Sequence, residues 1–255
     1  NTYFGVWVDA DVGTATDDYV GCDVQRGLGY SYNGDAVDEP SSSSQGYGEN
    51  PPAVGIDFFE GPYQDTDSID NPLTSNFSNA IDSLGIPYEG IGIGYGDGIV
   101  DNERFGMRRF VYYNNSGNQI NGEPSTPLHF YNYMNGIWKN GQKMAYGGDG
   151  VSAATGANLD IEADYMFPGD TDPFNWGTGG TTVEPWTEVT SGNPPADRRF
   201  IQAAGPFTLE PGDYNNITMG VVWARATAGD PEESVKLMRI ADDKAQALFD
   251  NCFEI

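Results

Sequence analysis

Five carboxylates crowd one stretch near the amino terminus. "WVDADVGTATDDYVGCDVQRG", Trp7 to Gly27, places Asp9, Asp11, Asp17, Asp18 and Asp23 within fifteen positions. Carboxylates this dense raise one another's pKa and oppose compaction unless they fan out into water or gather around a cation. Gly13 supplies a sharp turn among them, and a set of oxygen donors on a turn suits a hard cation, Ca2+ above all, which takes six to eight oxygens. The stretch is not an EF-hand, because the glutamate at the twelfth loop position and the flanking helices are missing. A second candidate is "GDGIVDNERFG", where Asp97, Asp101 and Glu103 surround a glycine turn, and a third is "FPGDTDP", with Asp170 and Asp172. The competing reading is plain turn chemistry, since Asp and Asn bond their own backbone. For the first stretch calcium is the preferred reading, for the second both stay open, and for the third the solvated turn is preferred. One histidine, His129, and two distant cysteines cannot build a nitrogen- or sulfur-rich site, which disfavours transition metals.

Catalytic patterns are scarce. There is no G-x-S-x-G, a lone histidine offers no Ser-His-Asp set, and "GIGIGYGDG" at 90–98 is a glycine run with no helix signal after it, hence no phosphate loop. Asp57 and Glu60 in "GIDFFEGP" are the first pair to examine for glycoside cleavage by two carboxylates. Among the aromatics, Tyr30, Tyr32, Trp176 and Trp186 lie in or beside Gly/Asn-rich segments, where rings stack on sugars or anchor a partner; otherwise they cap the core beneath long loops.

These groups need a scaffold, and 255 residues, 38% of them hydrophobic, suffice for one large core over 1–255. A net charge of −26 sets nucleic acid and anionic membrane surfaces aside as partners. No run of eighteen apolar residues appears, and "NTYFGVWVDA" lacks the pattern of a signal peptide, so neither direct membrane insertion nor a leader is expected. Abundant Gly, Pro, Asn and Tyr with scarce Lys favour an exported, loop-rich β-protein. Cys22 and Cys252 form either a disulfide spanning almost the whole chain or two separate thiols.

Strand-type runs occur at 3–8, 53–59, 104–113, 198–205 and 216–226. In the last, Ile217, Met219, Val221 and Trp223 share one face at period two, the pattern of a core-covering strand. "FTLEPGDYNNI" predicts a turn joining the last two runs as an antiparallel pair. A helix is predicted from "STPLHFYNYMNGIW", capped by Ser125 or Thr126 with Pro127 in its first turn. A second begins at Asp230 and Pro231, with Glu232 and Glu233 at its positive end and a docking stripe of Leu237, Ala241, Ala245, Leu248 and Cys252. The fold class expected is mainly β: an antiparallel β-sandwich, jelly-roll-like, with long ordered loops and a C-terminal α-helix.

Several motifs taken together, "VWVDADVGTATDDYVGCDVQRGLGYSYNGDAVDE", "NPPAVGIDFFEGP", "GDGIVDNERFGMRRFVYYNN", "MFPGDTDP" with "WGTGG", "PADRRFIQAAGPFTLEPGD" and "GVVWARATAGDP", resemble an uncharacterised module of large exported Bacteroidetes proteins that carry a type IX secretion C-terminal sorting domain. The resemblance runs along nearly the whole chain and implies an extracellular or outer cell surface location, with the chain as a piece of a longer protein. It implies no activity or catalytic residue. It also implies O-glycosylation at Asp-Ser followed by an aliphatic residue, which here marks Ser68 and Ser83. The function expected is noncatalytic: a calcium-stabilised surface module for adhesion, glycan contact or assembly with other domains or subunits. A carbohydrate-active enzyme and a subunit of a surface filament or layer are the alternatives.

Overall fold

The computed structural model describes residues 1–88 and 92–254, which leaves 90–91 of the glycine run outside the described residues. The strands are β1 (Thr2–Val8), β2 (Asp18–Asp23), β3 (Leu28–Asn33), β4 (Val37–Asp38), β5 (Gly48–Glu49), β6 (Ala53–Glu60), β7 (Arg109–Asn114), β8 (Ala145–Tyr146), β9 (Asn158–Glu162), β10 (Arg198–Phe207) and β11 (Thr218–Ala224). The helices are α1 (Pro127–Met134), α2 (Glu188–Ser191) and α3 (Pro231–Asp250). The chain is mainly β, with antiparallel sheets that do not close and a C-terminal helix.

One sheet has the order β1-β10-β7 and the other β11-β6-β3-β2; β4-β5 and β8-β9 are two-stranded ribbons. Alternation along each strand decides what it covers. On β1, β7 and β10, Phe4, Phe110, Phe200 and Gln202 face the four-stranded sheet. A methyl group on Gly29 of β3 would collide with Gln202 Oε1 and with the rings of Phe110 and Phe200, so glycine there lets the two sheets approach. The opposite face of the three-stranded sheet packs on α1, through Trp7 with Phe130 and Tyr113 with Tyr133. The opposite face of the four-stranded sheet packs on α3, where Leu28, Tyr30, Tyr32, Ala53, Val222, Val235 and Met238 form a second buried cluster. Every residue of β2 and β3 is buried as a result.

Four sequence expectations change here. β10 and β11 do not pair; β10 lies between β1 and β7, and β11 pairs with β6 in the other sheet. Of the predicted core face of β11, Ile217 and Met219 are partly buried against the main core, whereas Val221 and Trp223 are exposed, at 73% and 54%, and Gly220 and Val222 are the buried residues, Val222 in the cluster under α3. The buried residues of α3 are Ser234, Val235, Met238 and Asp242, with Ala245 of the predicted stripe packed beside them and Leu237, Leu248 and Cys252 exposed. Apolar spacing misled because that face includes the polar residues Ser234 and Asp242; Ser234 Oγ donates to the Pro51 carbonyl (2.7 Å) and accepts from the Ala226 amide (3.0 Å). Tyr30 and Tyr32 are not loop residues, because β2 and β3, unseen in the sequence, form a hairpin that turns at Gly27 with φ +75°. By contrast α1 starts as expected, with Thr126 as N-cap accepting from the His129 amide and Pro127 in its first turn.

Met238→Ala is expected to destabilise the fold by about 2–5 kcal/mol, since it empties a fully buried site. Val221→Ser should stay within about 0.5 kcal/mol. Equilibrium urea unfolding of both variants checks the assignment of faces; equal losses would reject it.

Candidate cation site at the amino-terminal carboxylates

The five carboxylates of the first stretch separate into three groups. β2 runs extended from Asp18 to Asp23, which sets these two residues about 16 Å apart at ~3.3 Å per residue and, being five apart, on opposite faces. Asp23 lies at the α3 end, fully buried and already neutralised: Arg26 Nη1 is 2.8 Å and Arg239 Nε 3.0 Å from its Oδ2. It is therefore an ion-pair residue rather than a member of a common cation cage.

Asp9 and Asp11 follow β1, and the start of β10 brings Asp197 to them. One oxygen from each lies within 4.8 Å of the others, and among the described residues this is the one such trio of possible metal ligands. Arg199 already sits against it, with Nε 2.9 Å from Asp9 and 3.8 Å from Asp197, while its Nη1 donates to Glu123 at 2.8 Å. Burial raises the Asp11 carboxyl, and Asp9 and Asp197 raise it further.

Asp17 and Asp18 stand at the start of β2, where Asp18 pairs with Asn33 across the hairpin and bridges to Ala196. Asp18 is 1% exposed and Asn33 is fully buried. Asp18 Oδ2 accepts from the Val12 amide at 3.1 Å, but Oδ1 of Asp17, Asp18 and Asn33 each lack any hydrogen-bond partner. Burial pushes the Asp18 carboxyl up to about 8, with Asp17, Asp11 and Asp38 adding to the rise. Partial burial and Asp38 push Asp17 up to about 6. Among the described residues no Lys or Arg forms an ion pair with either. Three buried acceptor oxygens that no donor reaches stand at one end of two paired strands, the kind of group a hard cation satisfies, while Asp17 and Asp18 are outside the convergent trio of Asp9, Asp11 and Asp197.

The other candidate carboxylates serve their own loops. Asp97 accepts from the Ile99 amide and Asn102 Nδ2, Asp101 from the amides of Asp67 and Ser68, and buried Glu103 from the amide of Asn71. Among the described residues these three form no convergent trio: Asp97 braces its own turn, the competing reading, while Asp101 and Glu103 hold the distant segment 67–71. Asp172 accepts from the amides of Trp176 and Gly177. Ser68 and Ser83 are exposed, and Ser83 donates its amide to Asp67, so the two candidate glycosylation serines share one loop face.

Tyr30, Tyr32, Trp176 and Trp186 are at most 6% exposed, so these rings are core packing rather than an exposed platform. Trp186 still walls a pocket of about 260 Å3 with Tyr146, Asp170 and Asp172. Asp57 and Glu60 do not form a pair: three apart on β6, they point to opposite faces, and Glu60 accepts from Thr218 at 2.9 Å. Cys22 and Cys252 are both free, the first buried with Sγ 3.4 Å from the Met166 carbonyl, the second exposed beyond α3. Of the two readings left open by the sequence, the structure has the separate thiols.

Sequence reasoning missed Asp197, Asn33 and Asp38, which topology brings to the amino-terminal acids. It also missed the buried pair Glu188–Arg198, whose Oε1–Nε and Oε2–Nη2 contacts of 2.9 and 3.0 Å tie α2 to β10 behind Asp18. "PADRRF" was the available signal, two arginines opening an apolar strand. No family model, no curated protein and no solved structure matches the chain.

Burial pushes the Cys22 thiol well above its usual range. Maleimide is accordingly expected to label Cys252 alone in the folded protein and both cysteines only after denaturation, and a reductant should leave the melting temperature unchanged. Mass spectrometry of labelled peptides reads this directly, and native labelling of Cys22 would contradict it.

Proposed function

We propose that the chain is a noncatalytic, calcium-stabilised module of an exported or surface-displayed protein, an open jelly-roll-like sandwich that meets glycan or neighbouring domains or subunits through its loops. The observation that carries the calcium reading is the buried, partnerless Asp18 Oδ1, with one partnerless oxygen each on its chain neighbour Asp17 and its strand partner Asn33. Asp17 and Asp18 would hold the ion with Asn33, and the Asp9, Asp11, Asp197 trio offers a second, solvent-facing position. A bound cation supplies charge compensation there and no reaction step. The sandwich reading is supported by the single buried cluster shared by Val20, Cys22 and Phe58 of one sheet and Phe110, Phe200 and Ala204 of the other. Export, glycan contact and glycosylation at Ser68 and Ser83 rest on the sequence resemblance and on the exposure of those serines.

Calcium at a hundredfold over its dissociation constant adds about 2.7 kcal/mol, which for a domain of this size is about 5–10 °C in melting temperature. Wild type is expected to show that gain over chelator, and Asp18→Asn to lose most of it. The pH dependence follows from the raised Asp18 carboxyl. A folded-state pKa above the unfolded value costs stability as pH rises from about 4 toward 8, because the unfolded carboxyl ionises freely while the folded one holds its proton. In chelator, stability should fall across that window, and calcium should lessen the fall. Identical melting curves with calcium and chelator across pH 5–8 would overturn the calcium reading.

A further inference from the structure

A cleft of about 510 Å3 opens where the β2–β3 turn, β6 and the middle of α3 meet. Asp57 of β6 and Asp242 of α3 both line it, each 1% exposed and each with an Oδ1 that has no hydrogen-bond partner. The nearby cations are already committed. Arg26 is gripped by Asp243, with contacts of 2.8 and 3.1 Å, and by Asp23 at 2.8 Å, and Arg239 is held by Asp23 at 3.0 Å. Those two arginines pair with Asp23 and Asp243, and among the described residues no Lys or Arg forms an ion pair with Asp57 or Asp242, although the charge of Arg26 reaches both. Asp250, the remaining acid of the rim, accepts from Gln246 at 2.7 Å. Burial pushes Asp57 up to about 8, with Asp242 raising it further, and burial pushes Asp242 up to about 7, where Arg26 lowers it and Asp243 and Asp23 raise it.

Two features of the cleft choose its ligand. Among the residues that line the cleft only Asp57 and Asp242 carry a partnerless acceptor oxygen, fewer than the oxygens a divalent ion takes. The walls, in contrast, include Phe58, Phe59, Phe105 and Ile93, an apolar lining for an alkyl stem. We propose that this cleft is a binding site for an organic cation, an ammonium or guanidinium group on an alkyl stem such as a lysine or arginine side chain, with Asp57 and Asp242 as its paired acceptors. The volume lies within the range of small-ligand pockets, and charge-assisted hydrogen bonds to two desolvated carboxylates are the strong kind. The inference is independent of the calcium reading, since it uses the other face and the other end of the four-stranded sheet.

The test is calorimetric titration of the whole chain, in saturating calcium, with n-butylammonium and n-butylguanidinium, and with n-pentanol as the neutral match for the stem. Saturable binding of both cations and none of the alcohol is expected, with proton release visible as a dependence on buffer ionisation enthalpy. Asp242→Asn and Asp57→Asn should each weaken binding about tenfold or more, the factor that corresponds to one lost charge-assisted contact. NMR amide shifts on wild type remove the dependence on variant folding: they should be confined to residues around 57–61 and 242–246. Binding of pentanol equal to that of butylammonium, unchanged affinity in variants that melt like wild type, or amide shifts elsewhere would overturn the proposal.

Discussion

The four-stranded sheet is covered on both faces, by the three-stranded sheet on one and by α3 on the other, and that double burial governs the rest of the molecule. A strand in such a position reads as a continuous apolar run in most proteins. Here β2 and β6 carry Asp18, Asp23 and Asp57 into that interior, in a chain of net charge −26 with only twelve basic residues. Desolvated carboxylates must be paired, hydrogen-bonded or protonated. Asp23 is paired, by Arg26 and Arg239. Asp18 and Asp57 are not, and they end up on opposite faces at opposite ends of the sheet.

This imbalance explains why the two sites have different character. At the Asp18 end the unmet groups are oxygens alone, from Asp17, Asp18 and Asn33, and a hard ion matches them. At the Asp57 end two acids meet apolar walls, and a cation with a hydrocarbon stem matches those. The arginines near the second site brace the β2–β3 turn against α3 and are spent in doing so. Placement of the few basic residues thus decides where negative charge is left for something outside the chain to meet.

Much of the scaffold was legible in the sequence, and the failures have physical causes. β1, β6, β10, α1 and α3 announce themselves through apolar runs, the Thr126 and Pro127 start signal, and Pro231. β2 and β3 stayed hidden because their ends are acids and asparagine and because Gly21 and Gly29 interrupt the apolar pattern, although those glycines are what allow close packing against Tyr30 and Phe200. The face of α3 was misread because Ser234 and Asp242 occupy docking positions that a search for apolar residues passes over. The crowding of acids at 9–23 was visible, but crowding in sequence became separation in space once Asp18 and Asp23 were joined by an extended strand. Asp197 and Asn33, which complete the two acidic groups, come from distant segments and carry no local signal.

The claim that uncompensated acids are buried in this sheet is tested most directly by the carboxyl carbon shifts of the aspartates, followed by NMR as pH is raised in calcium-free solution. Asp18 and Asp57 are expected to titrate near 8, far above the ordinary aspartate range, and added calcium to remove the anomaly at Asp18 while leaving that at Asp57. Midpoints near 4 for both residues would contradict it.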